Sequence, residues 1–224
     1  MPPKPLEADT QALLADGPAL GFSAAEFLTR SSETQRGRLL VAGALAVAEK
    51  GYARATVSDI VAAAGVSRTA FYEHFDGKED CLVEAYRASV TITLERMAAA
   101  ATDAATGGWR AALTAGVRSV FETIREHPAI ARATYVELAG AGARGLSARR
   151  EGNDRFAAQI AALADAVRRM DPSMPSADPR LVRLVISGLE LQVAYAINED
   201  RLDELDALAD VALAALSALF NPAG

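Results

Sequence analysis

The stretch Thr56-Val-Ser-Asp-Ile-Val-Ala-Ala-Ala-Gly-Val-Ser-Arg-Thr-Ala-Phe-Tyr-Glu-His-Phe75 predicts two short helices joined by a tight turn. Thr56 and Asp59 have capping-box spacing, in which the hydroxyl accepts from an early backbone N–H and the carboxylate lies at the positive end of the helix dipole. Gly65 stands where the chain needs a left-handed residue to leave the helix, and Ser67 offers a second N-cap. A turn this tight makes the two helices cross steeply.

The second helix of this pair has an apolar side and a polar side. Its apolar side can pack on the first helix through Ala70, Phe71 and Phe75 against Ile60, Val61 and Ala64. The polar side chains, which stay exposed or at the flank, are Arg68, Thr69, Tyr72 and His74. Such groups near a helix N-terminus can reach base edges and phosphates in a major groove. An isolated helical hairpin inside an ordinary bundle would show the same pattern, so the flanking sequence must decide.

Helices are also predicted on both sides of the pair. Glu33–Lys50 carries apolar residues at helical spacing and ends in Gly51-Tyr52, which predicts a bracing helix upstream. Downstream, Asp76 as N-cap and Glu79 three residues later predict the start of a fourth helix. The pair therefore lies inside a larger helical domain.

This succession resembles the DNA-binding domain of the tetracycline-repressor (TetR) family of bacterial one-component regulators. The pattern is a helix ending in Gly-Tyr, followed by T-V-x-D-I-x-x-x-A-G-V-S-x-x-x-F-Y-x-H-F-x-x-K-E, and it covers Thr34 to Tyr86. A match of this length is far more specific than a motif of a few residues. The resemblance implies an all-α fold, with a three-helix helix-turn-helix head followed by a helical domain for ligand binding and dimerisation.

The resemblance also implies which residues contact DNA. Phosphate contacts are expected from Arg54, Thr56, Tyr72, His74 and Lys78. The expected base readers are Arg68 and Thr69. The set is completed by Ser67 and by Val57, which would lie against a sugar or a thymine methyl group.

Bulk charge neither supports nor forbids DNA binding. The formal net charge is -6, opposite to the balance of many nucleic-acid binders. Between residues 31 and 75, however, the sequence contains five basic and four acidic residues, so this region is not acidic. Affinity must therefore come from the placement of a few groups, and each neutralised phosphate would add to the salt dependence of binding.

Composition favours a cytoplasmic globular protein. Hydrophobic residues make up 51% of the 224 residues, enough for a sizeable core. No membrane span or signal peptide is expected. Cys81, the single cysteine, is expected to be a packing residue, and no cofactor or metal is expected.

From Lys78 onward the sequence predicts helices and no strand. The expected segments are Lys78 to about Ala101, Trp109–Glu126, Pro128–Ala139, Ser147–Met170, Pro179–Asn198 and Leu202–Phe220, with a loop at Gly140–Gly145. The expected domains are an N-terminal extension over 1–30, partly disordered or with a short helix capped by Ser23 and Glu26, a DNA-binding domain over 31–80, and a ligand-binding and dimerisation domain over 81–224.

The last two helices each carry an apolar stripe. The stripes are Leu181, Leu184, Val185, Gly188, Gln192 and Tyr195 on the first, and Leu202, Leu205, Ala209, Ala212, Leu216 and Leu219 on the second. Such stripes can close the core of one chain or form half of a four-helix bundle. The resemblance implies the second alternative, a homodimer formed through these two helices.

Bulky residues interleaved with alanines on the intervening helices predict either a close-packed core or a ligand cavity. The candidate ligand-binding residues are Met97, Trp109, Leu113, Phe121, Tyr135, Phe156, Gln192 and Tyr195. Glu137 and Asn198 are further polar groups that such a cavity could use.

One motif favours an enzyme instead. Gly140-Ala-Gly-Ala-Arg-Gly145 matches G-x-G-x-x-G, and Asp165 follows at the distance that a dinucleotide-binding protein would need. That motif requires a preceding strand, and the sequence predicts a helix there. Four nearby arginines, Arg144, Arg149, Arg150 and Arg155, could meet a phosphate-bearing ligand such as an acyl-CoA, or could form a solvated charged face.

The sequence thus predicts a homodimeric repressor that binds a palindromic operator in double-stranded DNA. Its two recognition helices would lie roughly 34 to 36 Å apart. A small, largely apolar effector would release it by preferring a dimer with a different spacing of the heads. The fourth helix, which begins at Lys78, is the expected lever.

Overall fold

The structure, a computed structural model, describes residues 34–170 and 177–220. Every regular element in these two ranges is helical, so the all-α prediction is confirmed. The α-helices are α1 (Gln35–Lys50), α2 (Val57–Ala64), α3 (Arg68–Tyr72), α4 (Lys78–Asp103), α5 (Trp109–Glu126), α6 (Pro128–Ala131), α7 (Gly142–Met170), α8 (Pro179–Asn198) and α9 (Leu205–Leu219). The predicted extension over 1–30, with the Ser23 and Glu26 capping box, lies outside the described residues.

The chain forms two compact units. Unit 1 contains the described residues up to Ser89 together with Ala129–Leu146. Unit 2 contains Val90–Pro128 and the described residues from Ser147 onward. The helix-turn-helix therefore shares its unit with a segment from much later in the chain, which the sequence did not indicate.

α2 and α3 begin after the predicted N-caps Thr56 and Ser67, and α2 ends at the predicted Gly65. α1 begins at Gln35, two residues after its predicted start at Glu33. Thr34 caps α1, its hydroxyl accepting from the Gly37 N–H at 3.1 Å. Gly65 ends α2 in the left-handed conformation, with φ of 63°, and its N–H bonds back to the last turn. Ser67 caps α3, its hydroxyl accepting from the Ala70 N–H at 3.1 Å.

The core of unit 1 is built on the predicted apolar faces. Phe71 and Phe75 are fully buried, with their ring centroids 5.6 Å apart, and Ile60 is buried with them. Cys81 is also buried, and a Cβ added at Gly43 would come within 2.7 Å of its sulfur. Burial raises the pKa of the Cys81 thiol to about 12, which keeps it protonated and confirms it as a packing residue.

The start of α4 differs in detail from the prediction. The helix begins at Lys78, and the carboxylate that returns to the Asp76 N–H, at 3.2 Å, belongs to Asp80. Asp80 is the third residue of the helix, the position from which a carboxylate reaches back to this N–H, whereas Glu79 is only the second. The predicted pairing of Asp76 with Glu79 is wrong by one residue.

The segment between α5 and α7 is less regular than predicted. The expected helix Pro128–Ala139 consists of the short α6, a π-helical turn over Arg132–Val136 and a 3₁₀ turn over Glu137–Ala141. The loop predicted at Gly140–Gly145 is wrong, because α7 already begins at Gly142. Gly142 provides the break with a φ of 57°, and the chain needs no further loop residues.

In unit 2, α9 packs on α5 and α8 and buries one apolar stripe. Leu205, Ala209, Ala212 and Leu216 are all buried within the chain itself. The prediction that this stripe forms a dimer interface is therefore wrong, since these side chains already have intramolecular partners. Leu202 and Leu219, at its ends, are half-buried.

The expectation of no segment resembling a membrane span also fails for α8, which is long and apolar enough to cross a membrane by length and composition. Its charged residues, however, have partners inside unit 2. Arg183 pairs with Asp154 at 2.6 Å, and Glu190 pairs with Arg149 at 3.2 Å. These ion pairs, together with the buried Val182, identify α8 as a helix of the bundle.

Candidate DNA interface and ligand cavity

The N-terminus of α2 is fixed by a complete capping box. The Thr56 hydroxyl accepts from the Asp59 N–H, and the Asp59 carboxylate accepts from the Thr56 N–H at 2.9 Å. The Lys50 ammonium lies 2.6 Å from the same carboxylate. Hydrogen bonds from Lys50 and then Thr56 lower the pKa of Asp59, so the cap is charged and intact at neutral pH.

Helix α3 presents polar side chains to solvent. Arg68 and Thr69 are exposed at its N-terminus, and the Arg68 guanidinium donates to the Ser58 hydroxyl at 3.2 Å. Tyr72 is 52% exposed and stands edge-on to the buried Phe71 ring. His74 follows the helix and lies 3.3 Å from the Gln35 side chain. The apolar side of α3 is thus anchored while its polar side remains available.

The turn between α1 and α2 carries two more of the predicted DNA contacts. Arg54 is exposed, and its Nε donates to the Lys50 carbonyl at 2.8 Å. Val57, at the start of α2, is half-buried. The Lys78 ammonium donates to the carbonyls of Tyr52 at 2.6 Å and Ala55 at 2.9 Å, so it binds this turn from within unit 1.

Unit 2 contains a cavity of about 180 Å³. It brings together three predicted residues, Met97 from α4 and Trp109 and Leu113 from α5. Sequence reasoning missed the others, chiefly small or distant residues such as Ala101, Gly116, Ile160 and Phe220. None of the described lining residues carries a charge, and the Thr102 hydroxyl donates a hydrogen bond to the Ala98 carbonyl at 2.8 Å. Such a lining favours an apolar ligand.

The remaining predicted ligand residues lie away from this cavity. Phe121 is buried and Phe156 half-buried in unit 2, and Tyr135 belongs to the π-helical turn of unit 1. Gln192 and Tyr195 are exposed on α8. Of the two further polar candidates, Asn198 is exposed and Glu137 binds the backbone of Tyr52.

The outer face of α8 is apolar and exposed. Four large side chains on it, Leu181, Leu184, Leu191 and Tyr195, are each about half exposed or more. Val211 on α9 is exposed as well, on the side of that helix opposite its buried stripe. Exposed apolar groups concentrated in this way mark interaction surfaces.

Residues 39–85 match the family model described as bacterial regulatory proteins, tetR family. The match spans the whole helix-turn-helix and the start of α4. This segment of the chain is a TetR-type regulatory domain. No curated protein sequence matches it.

Solved structures of TetR-family regulators share the fold along most of the chain. The fatty acid degradation regulator FadR of Bacillus halodurans has a TM-score of 0.68 at 20% identity, covering 80% of this chain and 94% of its own. FadR of Bacillus subtilis, in complex with stearoyl-CoA, has a TM-score of 0.65 at 20% identity, with coverages of 80% and 97%. SmeT, the repressor of the Stenotrophomonas maltophilia multidrug efflux pump SmeDEF, has a TM-score of 0.65 at 21% identity, with coverages of 85% and 93%.

The glycines of the G-x-G-x-x-G motif have structural explanations in this fold. A Cβ added at Gly140 would lie 2.5 Å from the Tyr52 ring, and one at Gly145 would lie 2.3 Å from the Leu138 carbonyl oxygen. Gly142 has a positive φ. Gly140 and Gly145 are thus required by close packing and Gly142 by its backbone conformation. Helical turns precede the motif, where a dinucleotide site needs a strand.

Three of the four arginines near this motif have partners in the protein. Arg144 pairs with Asp80 at 2.6 Å, and Arg155 donates to the Thr91 hydroxyl at 3.0 Å. Arg149 pairs with Glu190, whose burial raises its pKa. These pairings favour a structural role over a site for a phosphate-bearing ligand.

Proposed function

We propose that this regulator is a homodimeric repressor that binds a palindromic operator and is released by a small, uncharged, apolar effector. The observation that carries this proposal is the anchored α3, whose exposed Arg68, Thr69 and Tyr72 stand beside the capped start of α2. In functional terms, residues 31–80 would bind DNA and residues 81–224 would bind the effector and form the dimer. Such a regulator would act in the cytoplasm.

The proposed DNA contacts divide into two kinds. Arg68 and Thr69 lie at the N-terminus of the recognition helix, where a helix in the major groove meets base edges. Arg54, Thr56 and Tyr72 surround that end and would contact phosphates. Because the whole chain is acidic, these local contacts must supply most of the affinity.

The dimer would form through the exposed faces of α8 and α9. Leu184 and Leu191 project from α8, and Val211 projects from α9. A two-fold interface uses the same patch on both subunits, so each of these residues would bury one side chain from either subunit. The symmetry would also place two recognition helices on a palindromic site.

The effector class follows from the cavity in unit 2. An apolar cavity of about 150 Å³ binds benzene, whereas drug-sized ligands occupy about 300–1,000 Å³. The cavity here, at about 180 Å³ and without a charged side chain, fits a single ring with a small substituent. The FadR of Bacillus subtilis was solved with the much larger stearoyl-CoA, so a different effector is proposed for this chain.

The effector would act through α4. Residues Lys78–Ser89 of this helix belong to unit 1, while Met97 and Ala101 line the cavity in unit 2. A ligand that binds better to the form with low DNA affinity shifts the population by the ratio of its two affinities.

The test uses the full chain and a duplex selected by the wild-type protein from a random library, with a scrambled duplex for comparison. Arg68→Ala should weaken the selected duplex more than the scrambled one, because it removes a base contact. Tyr72→Phe should weaken both, because phosphates are common to all sequences. Arg150→Ala, at an exposed arginine of unit 2, is the control and should bind as wild type does. Wild-type affinity for both duplexes in Arg68→Ala and Tyr72→Phe would refute the proposed interface.

A further inference from the structure

The turn between α1 and α2 is held by charged groups that bind the backbone N–H and the backbone carbonyl of one residue, Tyr52. Gly51 ends α1 with a φ of 76°, and the N–H groups of Arg54 and Ala55 bond to its carbonyl. The turn then carries Arg54 and reaches Thr56, the N-cap of α2. Its conformation therefore sets where both of these residues meet DNA.

Tyr52 is the contact point of this turn. On one side, the Lys78 ammonium donates to the Tyr52 carbonyl and lies 4.5 Å from the centroid of its ring. On the other side, the Tyr52 N–H donates to a carboxylate oxygen of Glu137 at 2.7 Å. Glu137 lies 85 residues further along the chain, and its side chain is 17% exposed.

The segment that supplies Glu137 is itself fixed to unit 1 by further contacts. The Gly140 backbone packs on the Tyr52 ring so closely that a Cβ would overlap it. Arg144 pairs with Asp80 at 2.6 Å and with Glu79 at 3.5 Å. The segment begins with a π-helical turn, an element that is rare and concentrated at functional sites.

We propose that Glu137 is a positioning residue for DNA binding, holding the Tyr52 peptide so that Arg54 and Thr56 face the operator. The inference rests on the proposed function. Glu137 does not touch DNA in this scheme. Its carboxylate accepts a charge-assisted hydrogen bond, which is stronger than a neutral one, from a backbone group with no helical partner.

The direction of the change in DNA affinity distinguishes a positioning role of Glu137 from the effect of its charge alone. Removal of a carboxylate from an acidic protein reduces repulsion of DNA and should strengthen binding. Loss of the turn geometry should weaken binding instead. Glu49→Ala, at an exposed glutamate of α1, removes the same charge without touching the turn and is the matched control.

The experiment measures anisotropy of the selected and scrambled duplexes with the full chain at several salt concentrations. Glu137→Ala should lower affinity for both duplexes about tenfold, a change of about 1.4 kcal/mol. Loss of the Arg54 contact in both subunits should flatten the salt slope by about 1.8, since each phosphate contributes about 0.9. Glu137→Gln keeps an acceptor of equal length and should restore most of the affinity.

Two further variants keep the proposal falsifiable if Glu137→Ala folds poorly. Gly140→Ala leaves the carboxylate in place but pushes on the Tyr52 ring, and it should also weaken binding to both duplexes. Arg54→Ala combined with Glu137→Ala should cost less affinity than the sum of the two single changes, because both remove the Arg54 contact.

Folded Glu137→Ala and Gly140→Ala proteins with wild-type affinity and salt slope would overturn the inference. A lower melting temperature with unchanged DNA binding would overturn it as well. Failure of the proposed function looks different, since the wild-type protein would then select no duplex at all.

Discussion

Leu184 on α8 provides the sharpest test of the dimer. It is 69% exposed in the single chain and lies on the exposed apolar face of α8. We expect Leu184→Glu to give a folded monomer that no longer binds the operator. A lone head covers one half-site, so operator binding should fail although Leu184 is far from α3 in the sequence.

The magnitude follows from the area that remains to be buried. Full burial of a leucine side chain contributes about 1.5–3 kcal/mol, and about two-thirds of this one is still exposed. Each subunit therefore gains about 1–2 kcal/mol, and a two-fold interface counts the residue twice, for about 2–4 kcal/mol. The dimer dissociation constant should rise roughly 30- to 1,000-fold from this loss alone. The buried carboxylates add a further cost of several kcal/mol.

Sedimentation velocity across a concentration series measures this change, and circular dichroism checks that the variant is folded. Leu146→Glu is the matched control, because Leu146 is 70% exposed but belongs to unit 1 and not to the apolar face of α8. It should remain a dimer. A Leu184→Glu protein that sediments as the wild-type dimer would show that the interface lies elsewhere.

Three further predictions follow from unit 2. Leu216→Ala should destabilise the fold by about 2–5 kcal/mol and lower the melting temperature in calorimetry by roughly 4 to 20 °C, because Leu216 is buried in its own chain; an unchanged melting temperature would contradict that packing. Toluene at a hundred times its dissociation constant should stabilise the wild type by about 2.7 kcal/mol in the same assay. Ala101→Leu, which fills the cavity, should abolish this stabilisation. Ala99→Leu, on the exposed side of α4, is the control and should retain it. Burial lowers the pKa of His127 below its usual 6.5, so the unfolded chain binds the proton more readily than the folded one. The free energy of unfolding should therefore fall as pH drops from about 6.5 toward 5. His127→Gln should remove this dependence in urea titrations, and an identical pH profile in both proteins would refute it.

The start and end of α2 and the start of α3 could be predicted from the sequence because their signals are local. The Thr56 and Asp59 box, the left-handed Gly65 and the Ser67 cap each act within a few residues of the backbone groups that they satisfy. Helix ends with such signals are determined by short-range hydrogen bonding, and tertiary packing did not move them. The exposed polar side of α3 followed from the same periodicity.

The sequence left open whether unit 2 has a close-packed core or a cavity, and it indicated only part of the lining of the cavity that the structure contains. Met97, Trp109 and Leu113 lie on it, and large side chains interleaved with alanine gave the signal. Tyr135 and Tyr195 have the same character but lie elsewhere. A residue lines a cavity because of which helices face one another across it, and spacing along one helix does not contain that information.

The two C-terminal stripes show the same limit. Leu184 and Leu216 belong to equally periodic apolar faces, yet one is exposed and the other is 3% exposed. Periodicity identifies the face that avoids water, but packing on α5 and α8 decides whether that face is buried within the chain or left for a partner.

The docking of residues 129–146 on the helix-turn-helix unit was decided by tertiary structure alone. Gly140 reads in the sequence as part of a phosphate-binding motif, and Glu137 as a possible cavity residue. In the fold, Gly140 packs against the Tyr52 ring, where a side chain would not fit, and the Glu137 carboxylate accepts a hydrogen bond from the Tyr52 N–H. Local sequence determined each helix and its caps because those interactions span one turn. The contacts between Glu137 and Tyr52 span 85 residues, and only the path of the folded chain brings them together.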